Sequence, residues 1–250
     1  MLGKSPAMPD AGGAHSGYLI THAGFTLLLD CGSGVFAKLR VYADPAAVDA
    51  VLISHLHADH MLDLLPFSFA LSAGMVGAAA PRPALWAPPG AAAAFRAYAE
   101  AVGMEDQIND GFAVHEYATD SRVELGPLTV RFCEVPHFIP AWGCDVRAGD
   151  GKRLTFGGDC GPNDAIVELA DETDLLMLEA TEGPGPHVGD GPRGHLTAAE
   201  AGALARRAGA ERLLLTHYSD QLDREQLRAA AQDAFGGPVE LASELARHAV

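Results

Sequence analysis

The chain has 250 residues, 48% hydrophobic and 20% charged, a composition and length that can bury a substantial core. Its formal charge of −16, from 17 basic and 33 acidic side chains, opposes binding to a long polyanion, whose affinity rests on Lys and Arg at phosphates. Small anions stay open, because a bound divalent cation reverses the local sign of a site. No apolar run reaches the roughly 18 residues of a membrane-spanning helix. Met1 to Gly13 holds no apolar stretch of signal-peptide length, so a cytoplasmic protein is expected. Cys31, Cys133, Cys144 and Cys160 are scattered without a C-x-x-C pair and read as reduced thiols.

In chain order, Gly17 to Ile20 and Phe25 to Asp30 are apolar runs parted by Thr21-His22-Ala23-Gly24, a hairpin pattern. Cys31-Gly32-Ser33-Gly34 turns the chain into a short helix over Val35 to Tyr42. A strand over Ala50 to Ser54 leads into a histidine-rich loop, and an apolar helix follows over Asp63 to Ala73. Pro81 to Pro89 is proline punctuation around a short strand, Ala84 to Ala87. Alanine content and the spacing of Phe95, Tyr98 and Val102 predict a helix over Ala91 to Val102.

The middle is β-rich. Phe112 to Tyr117, Arg122 to Leu125, Leu128 to Glu134, Trp142 to Arg147 and Arg153 to Gly157 are separated by Gly, Asp and Pro turns. A helix over Asp164 to Ala170 and a strand over Leu175 to Glu179 come next. The Gly/Pro-rich loop Gly183 to Gly194 precedes a helix opened by Thr197-Ala198-Ala199-Glu200, the pattern of a capping box. A strand over Arg212 to Thr216 and a helix over Asp223 to Phe235, stopped by Gly236-Gly237-Pro238, complete the reading. No linker or charge run divides the chain, so one domain over residues 1–250 is expected, with two sheets and helices outside them.

Chemistry concentrates in Ser54-His55-Leu56-His57-Ala58-Asp59-His60, directly after Val51-Leu52-Ile53. A strand ending in such a loop delivers three imidazoles and a carboxylate to one point, a donor set suited to zinc and similar cations. The bland alternative is a solvated loop rich in histidine. Three further candidates also end apolar runs: His137 after Val130 to Pro136, Asp159 after Leu154 to Gly158, and His217 after Leu213 to Thr216. Singly, each reads as an ordinary strand-end or turn residue; with the histidine loop they form a set.

Asp30, the histidine block, His137, Gly158-Asp159 and Leu215-Thr216-His217 together resemble the metallo-β-lactamase fold, and within it the ribonuclease Z-like branch. The resemblance implies a four-layer αββα sandwich of α/β (α+β) class, two mixed sheets with helices outside, and two divalent metal ions, Zn2+ first with Mn2+ or Fe2+ as alternatives. It implies that His55, His57, His137 and Asp159 hold one ion, that Asp59, His60, Asp159 and His217 hold the other, and that Asp159 bridges. Asp30 would orient the histidine loop. Two such cations about 3.5–4 Å apart share a hydroxide for attack and neutralise charge on an attacked phosphorus or carbonyl centre. Leu178-Glu179-Ala180-Thr181 and Gly194-His195-Leu196-Thr197 also match the branch. They imply that His195 protonates the leaving oxygen or steadies phosphoryl charge, with Glu179 holding its imidazole, while Asp59 orients the hydroxide. The plainer reading makes His195 a helix-flanking polar residue and Glu179 a strand-end acid.

The chain departs from ribonuclease Z itself. Only Phe138 to Gly158 separates His137 from Asp159, where transfer-RNA-processing members insert a long arm, and Cys160 stands where the family carries Thr. The acidic charge points the same way, away from a large nucleic acid. A closer likeness is to small bacterial members that include atypical cyclic nucleotide phosphodiesterases, carried by Leu2-Gly3-Lys4-Ser5-Pro6, Ser16-Gly17-Tyr18-Leu19, Leu62-Asp63-Leu64 and Phe235-Gly236-Gly237-Pro238. Those members begin with a full strand before the Leu-Gly segment, whereas Met1 abuts Leu2 here. The expected activity is hydrolysis of a small phosphodiester, foremost a 3′,5′-cyclic nucleotide. The alternatives are a ribonuclease Z-type endoribonuclease, a carboxylic ester, thioester or lactone hydrolase, and a non-catalytic metal-stabilised binding protein. A homodimer is implied by the resemblance alone. Phe67, Phe69, Trp86, Phe138 and Trp142 are candidates for a base pocket, each with a core or rim reading beside it.

Overall fold

The computed structural model describes residues 1–75 and 82–250, so the Pro81 end of the proline-rich segment lies outside the described residues. Two sheets face each other. The first runs β1 (Tyr18–His22), β2 (Phe25–Leu29), β3 (Ala50–Leu52), β4 (Ala84–Ala87), β5 (Ala113–Glu116), with the β1–β2 hairpin antiparallel and every later pairing parallel. The second contains β6 (Arg122–Leu125), β7 (Leu128–Val135), β8 (Ala141–Ala148), β9 (Arg153–Phe156), β10 (Leu175–Glu179), β11 (Leu213–Thr216) and β12 (Val239–Leu241). It is an antiparallel meander from β6 to β9 and parallel from β9 to β12.

Strand side chains alternate between faces, and that period builds the layers. Leu27, Leu29, Ala50 and Leu52 point into the core shared with Phe132, Val146, Phe156 and Met177 of the opposite sheet. Leu28, Val51 and Ile53 point the other way. They meet Val35, Phe36 and Leu39 of α1 (Val35–Tyr42), Leu64 and Phe67 of α3 (Leu64–Ser72), and Phe95 of α4 (Ala91–Glu100). Behind the second sheet lie α6 (Asp164–Leu169), α7 (Ala198–Arg207) and α8 (Arg224–Phe235). The order helix, sheet, sheet, helix is the expected four-layer sandwich.

Four short elements were not predicted, the first a 3-10 turn over Pro45–Ala47. The helix α2 (Ala58–Met61) is a single turn inside the histidine loop, and α5 (Gln107–Gly111) follows α4. The strand β12 is three half-buried residues after Gly-Gly-Pro, too short to show a period of two. The capping box forms as expected: Thr197 Oγ1 accepts from the Glu200 amide at 3.2 Å and Glu200 Oε2 accepts from the Thr197 amide at 3.0 Å.

Helices α7 and α8 pack closely because Gly202 carries no side chain. A Cβ there would lie 2.2 Å from the Ala231 carbonyl oxygen of the facing helix. Alanine gains about 1 kcal/mol of helix propensity over glycine, but overpacking against backbone costs about 1–3 kcal/mol. Gly202→Ala is therefore expected to lower the urea midpoint, and an unchanged or raised midpoint would contradict this packing.

Candidate metal centre

The strand directions bring the chemistry to one edge of the sandwich. The histidine loop leaves β3, Asp159 follows β9, Glu179 ends β10 and His217 follows β11, so all four lie at carboxyl ends of parallel strands. The two sheets are tied at this edge, where the Trp142 amide donates to the Ser54 carbonyl at 3.2 Å and His55 bridges to Ala141.

Every sequence-predicted site residue converges here. His57 Nδ1 lies 3.1 Å from His55 Nε2 and 3.0 Å from His137 Nε2. His60 Nε2 lies 3.2 Å from His217 Nε2, and Asp59 Oδ2 is 3.3 Å from the latter. Asp159 sits between these groups: Oδ1 is 3.3 Å from His60 Nε2, while Oδ2 is 3.4 Å from His217 Nε2 and 4.0 Å from His55 Nε2. Its Oδ1 is buried without a hydrogen-bond partner among the described residues.

Hydrogen bonds on the far side of the rings determine what these nitrogens present. His60 Nδ1 donates to Asp30 Oδ2 at 2.8 Å, and His137 Nδ1 donates to the Gly194 carbonyl at 2.7 Å. Thr181 Oγ1 gives its proton to the His217 carbonyl at 3.0 Å and so accepts from His217 Nδ1 at 3.0 Å. Ser54 Oγ gives its proton to Asp30 Oδ2 at 2.9 Å and accepts from His55 Nδ1 at 3.1 Å. Neutral imidazole carries one N–H, so His55, His60, His137 and His217 all turn Nε2 lone pairs inward. The His60 and His217 lone pairs face each other at 3.2 Å and repel unless a positive charge lies between them. Nitrogens bound at 2.0–2.1 Å by one tetrahedral zinc lie about 3.3–3.4 Å apart, close to the spacing found. The residues present fit divalent cations.

The electrostatics agree. Burial opposes ionisation of Asp159, yet the neighbouring His217 and His60 hold its carboxyl well below the ordinary range. Asp59, likewise opposed by burial, is held down to about 2 by its bond to His217 and by His60. Burial pushes His55 well below its usual value, and pushes His57 and His137 down too. Burial also disfavours charge on His60, but Asp159 and Asp30 at its two nitrogens outweigh it and raise the ring well above its ordinary value. A metal ion takes the place of that proton when ligands deprotonate.

Beside the cluster, His195 Nδ1 donates to Glu179 at 2.9 Å (Oε1) and 3.1 Å (Oε2), which fixes the ring next to those of His137 and His217. Glu179 is fully buried, and its Oε1 also accepts from the Cys160 amide at 2.8 Å, which ties the carboxylate to the residue after Asp159. Burial lowers the tendency of His195 to hold a proton, but the Glu179 bond and charge prevail and raise its pKa to about 9. Cys160 is buried, and burial with Glu179 and Asp159 nearby keeps its thiol protonated, so the substitution for Thr leaves an inert side chain.

Asp30 and His217 adopt left-handed backbone conformations, with φ 58° and 48°. Non-glycine residues in that region are uncommon and cluster where a site dictates geometry. Three participants were not singled out from sequence: Ser54 and Thr181, whose hydroxyls fix His55 and His217, and the Gly194 carbonyl, which fixes His137. Each sits inside or beside a motif already recognised, but nothing in a residue's type reveals a second partner reached through folding. A separate cavity of about 660 Å3 opens between β1, β8 to β10 and the C-terminal tail and includes none of the clustered residues. The donor set, not the volume, marks the site.

A sandwich of this order with histidine and aspartate loops at one sheet edge is the metallo-β-lactamase class of architecture. The family described as β-lactamase superfamily domain matches residues 26–218, and the chain belongs to it. Rv1339 of Mycobacterium tuberculosis, an uncharacterized protein, is 36% identical over 242 residues, covering 96% of this chain and 87% of its own. The probable metallo-hydrolase YhfI of Bacillus subtilis is 30% identical, covering 97% and 95%. Its crystal structure, that of a metallo-β-lactamase fold protein, superposes with a TM-score of 0.85 at 28% identity over 97% of this chain and 95% of that one. Ribonuclease Z of Myxococcus xanthus is 31% identical, covering 96% and 94%. The chain thus stands among ribonuclease Z-like members of the fold.

Proposed function

We propose that this chain is a two-metal hydrolase of a small phosphodiester, most directly a 3′,5′-cyclic nucleotide. In this reading His55, His57, His137 and Asp159 hold one divalent cation, and Asp59, His60, His217 and Asp159 hold the other, with zinc first and manganese or iron(II) as alternatives. When bound, two such cations acidify water for attack and offset charge building on phosphorus. The chain's own residues do the rest. Asp159 keeps the two clusters in register, Asp59 Oδ2 accepts a hydrogen bond from the attacking water or hydroxide and so aims it, and Asp30 locks the loop through Ser54 and His60. As the water oxygen bonds to phosphorus and the P–O3′ bond breaks, His195, charged at neutral pH with Nδ1–H held by Glu179, passes its Nε2 proton to the departing 3′ oxygen. Glu179 steadies the imidazole throughout.

The observation that carries the reading is the Glu179–His195 pair. An alkoxide leaving from phosphorus needs a proton, and a histidine held by a buried carboxylate at the edge of the cation cluster is placed to give it. A ribonuclease Z-type activity is the second reading, favoured by the likeness to a ribonuclease Z. Against it, Phe138 to Gly158 is occupied by the hairpin of β8 and β9, and the chain carries 33 acidic against 17 basic residues. Ester and lactone hydrolysis also expels an alkoxide and can use the same pair. Phosphorus is favoured over acyl carbon by the likeness of the Glu179 and His195 segments to the ribonuclease Z-like branch. A purely binding role has no need of a full donor set.

A metal-quantified activity screen over cyclic mononucleotides, cyclic dinucleotides, precursor tRNA and acyl esters separates these readings. The expected result is preferential turnover of a cyclic mononucleotide; precursor tRNA cleaved at lower enzyme concentration promotes the second reading and overturns the first. A cytoplasmic homodimer, folded as one domain, belongs to the same proposal, and a monomer at micromolar concentration in equilibrium sedimentation would remove the dimer from it. Thr181→Val takes away the acceptor that fixes His217. It is expected to weaken metal affinity about 10–100-fold in chelator competition, and an unchanged affinity would remove Thr181 from the supporting shell.

A further inference from the structure

We propose that Phe138 is the platform on which the base of the substrate nucleotide stacks, a specificity residue of the site; this rests on the phosphodiesterase reading above. Five aromatic side chains were candidates, and the fold separates them. Phe67 is fully buried between Phe36 and Phe112, and Trp142 is buried with its Nε1 donating to Thr119. Trp86 is stacked on His115 at 4.8 Å between centroids, so a neighbour covers one of its faces. Phe69 is exposed on α3, and among the described residues the ring packed beside the site histidines is Phe138, not Phe69.

Phe138 differs from all four. It is 59% exposed, yet its ring centroid is 5.2 Å from His137 and 5.6 Å from His195, inclined at 50° and 64°. Gly194 leaves room for it: a Cβ there would come within 2.7–2.9 Å of three ring carbons. The same Gly194 supplies the carbonyl that orients His137. One backbone position therefore seats both a candidate metal ligand and the aromatic ring beside it. An apolar ring held at this spot and left open to water offers area to a flat partner beside the histidine cluster. Stacking on an aromatic side chain accepts any base, since each has a π-face. The partner class is thus the planar base of a nucleotide whose phosphate lies at the cation cluster and whose leaving oxygen faces His195.

The test compares the metal-loaded full chain with Phe138→Ala, Phe138→Leu and Phe138→Trp. Steady-state kinetics are measured on 3′,5′-cyclic AMP and on methyl ribofuranoside 3′,5′-cyclic phosphate, which lacks a base. Calorimetry gives the Kd of 5′-AMP. The expected result for Phe138→Ala and Phe138→Leu is a roughly tenfold fall in the selectivity ratio for cyclic AMP over the base-free ester, carried by KM, with a matching rise in the Kd of 5′-AMP. Phe138→Trp restores both. Equal losses on the two substrates would mean that the ring only supports His137 and His195, and would overturn the proposal. So would an unchanged ratio, including one accompanied by dissociation of a dimer, which would assign the ring to a second copy. If the unaltered chain turns over neither substrate, the phosphodiesterase reading fails separately, and an equal Kd of 5′-AMP for the unaltered chain and Phe138→Ala then overturns the platform.

Discussion

Asp159→Ala is expected to empty the site of both cations, because one carboxylate faces both clusters. Its two oxygens reach His60 at 3.3 Å and His217 at 3.4 Å, with His55 at 4.0 Å, and among the described residues no second carboxylate makes the same connection. Without it, each cluster keeps its imidazoles but loses the negative charge that offsets a dication in a buried setting. Elemental analysis after dialysis should give near-zero metal per chain and activity should vanish with it. Asp159→Asn serves as a control for folding, since it keeps shape and removes charge. Two metals retained per chain in the alanine variant would refute the bridging role.

His195→Ala is the complementary case. His195 lies within ligating reach of His137 and Asp159 on one side and of Glu179 and His217 on the other, but its Nδ1 is committed to Glu179 and it belongs to neither of the two donor sets assigned above. The variant should therefore keep its full metal content while losing turnover by about 10²–10⁴-fold, the range typical of a positioned general acid. The loss should shrink for a substrate with a good leaving group such as p-nitrophenolate, which departs without a proton. Unchanged activity on cyclic AMP would take His195 out of the mechanism; loss of metal in parallel would make it a ligand instead.

These residues were legible because their types are costly to place by accident. Three histidines and an aspartate directly after a strand, followed by His137, Asp159 and His217 each at the end of an apolar run, give positions without coordinates. The apolar run Phe25 to Asp30, and Leu128 to Glu134 between its turn residues, likewise exposed the strands that lead to Asp30 and His137. The supporting contacts were not legible. Thr181 reaches His217 across 36 residues, and Gly194 reaches His137 across 57, through distances that only the closed sandwich defines. Phe138 shows the same limit: from sequence it is one aromatic among five, and exposure beside two histidines is a property of the fold alone. The strand β12 escaped for a different reason, because three half-buried residues have no pattern to read and gain their conformation by pairing with β11.

The central claim is that this cluster opens a cyclic phosphodiester by attack of water at phosphorus with loss of the 3′ oxygen. The most direct measurement is hydrolysis of 3′,5′-cyclic AMP in 18O-labelled water by the chain loaded with two equivalents of zinc, followed by phosphorus NMR and mass spectrometry. The expected product is 5′-AMP carrying one 18O on phosphate. Formation of 3′-AMP, or no turnover at full metal occupancy, would contradict it.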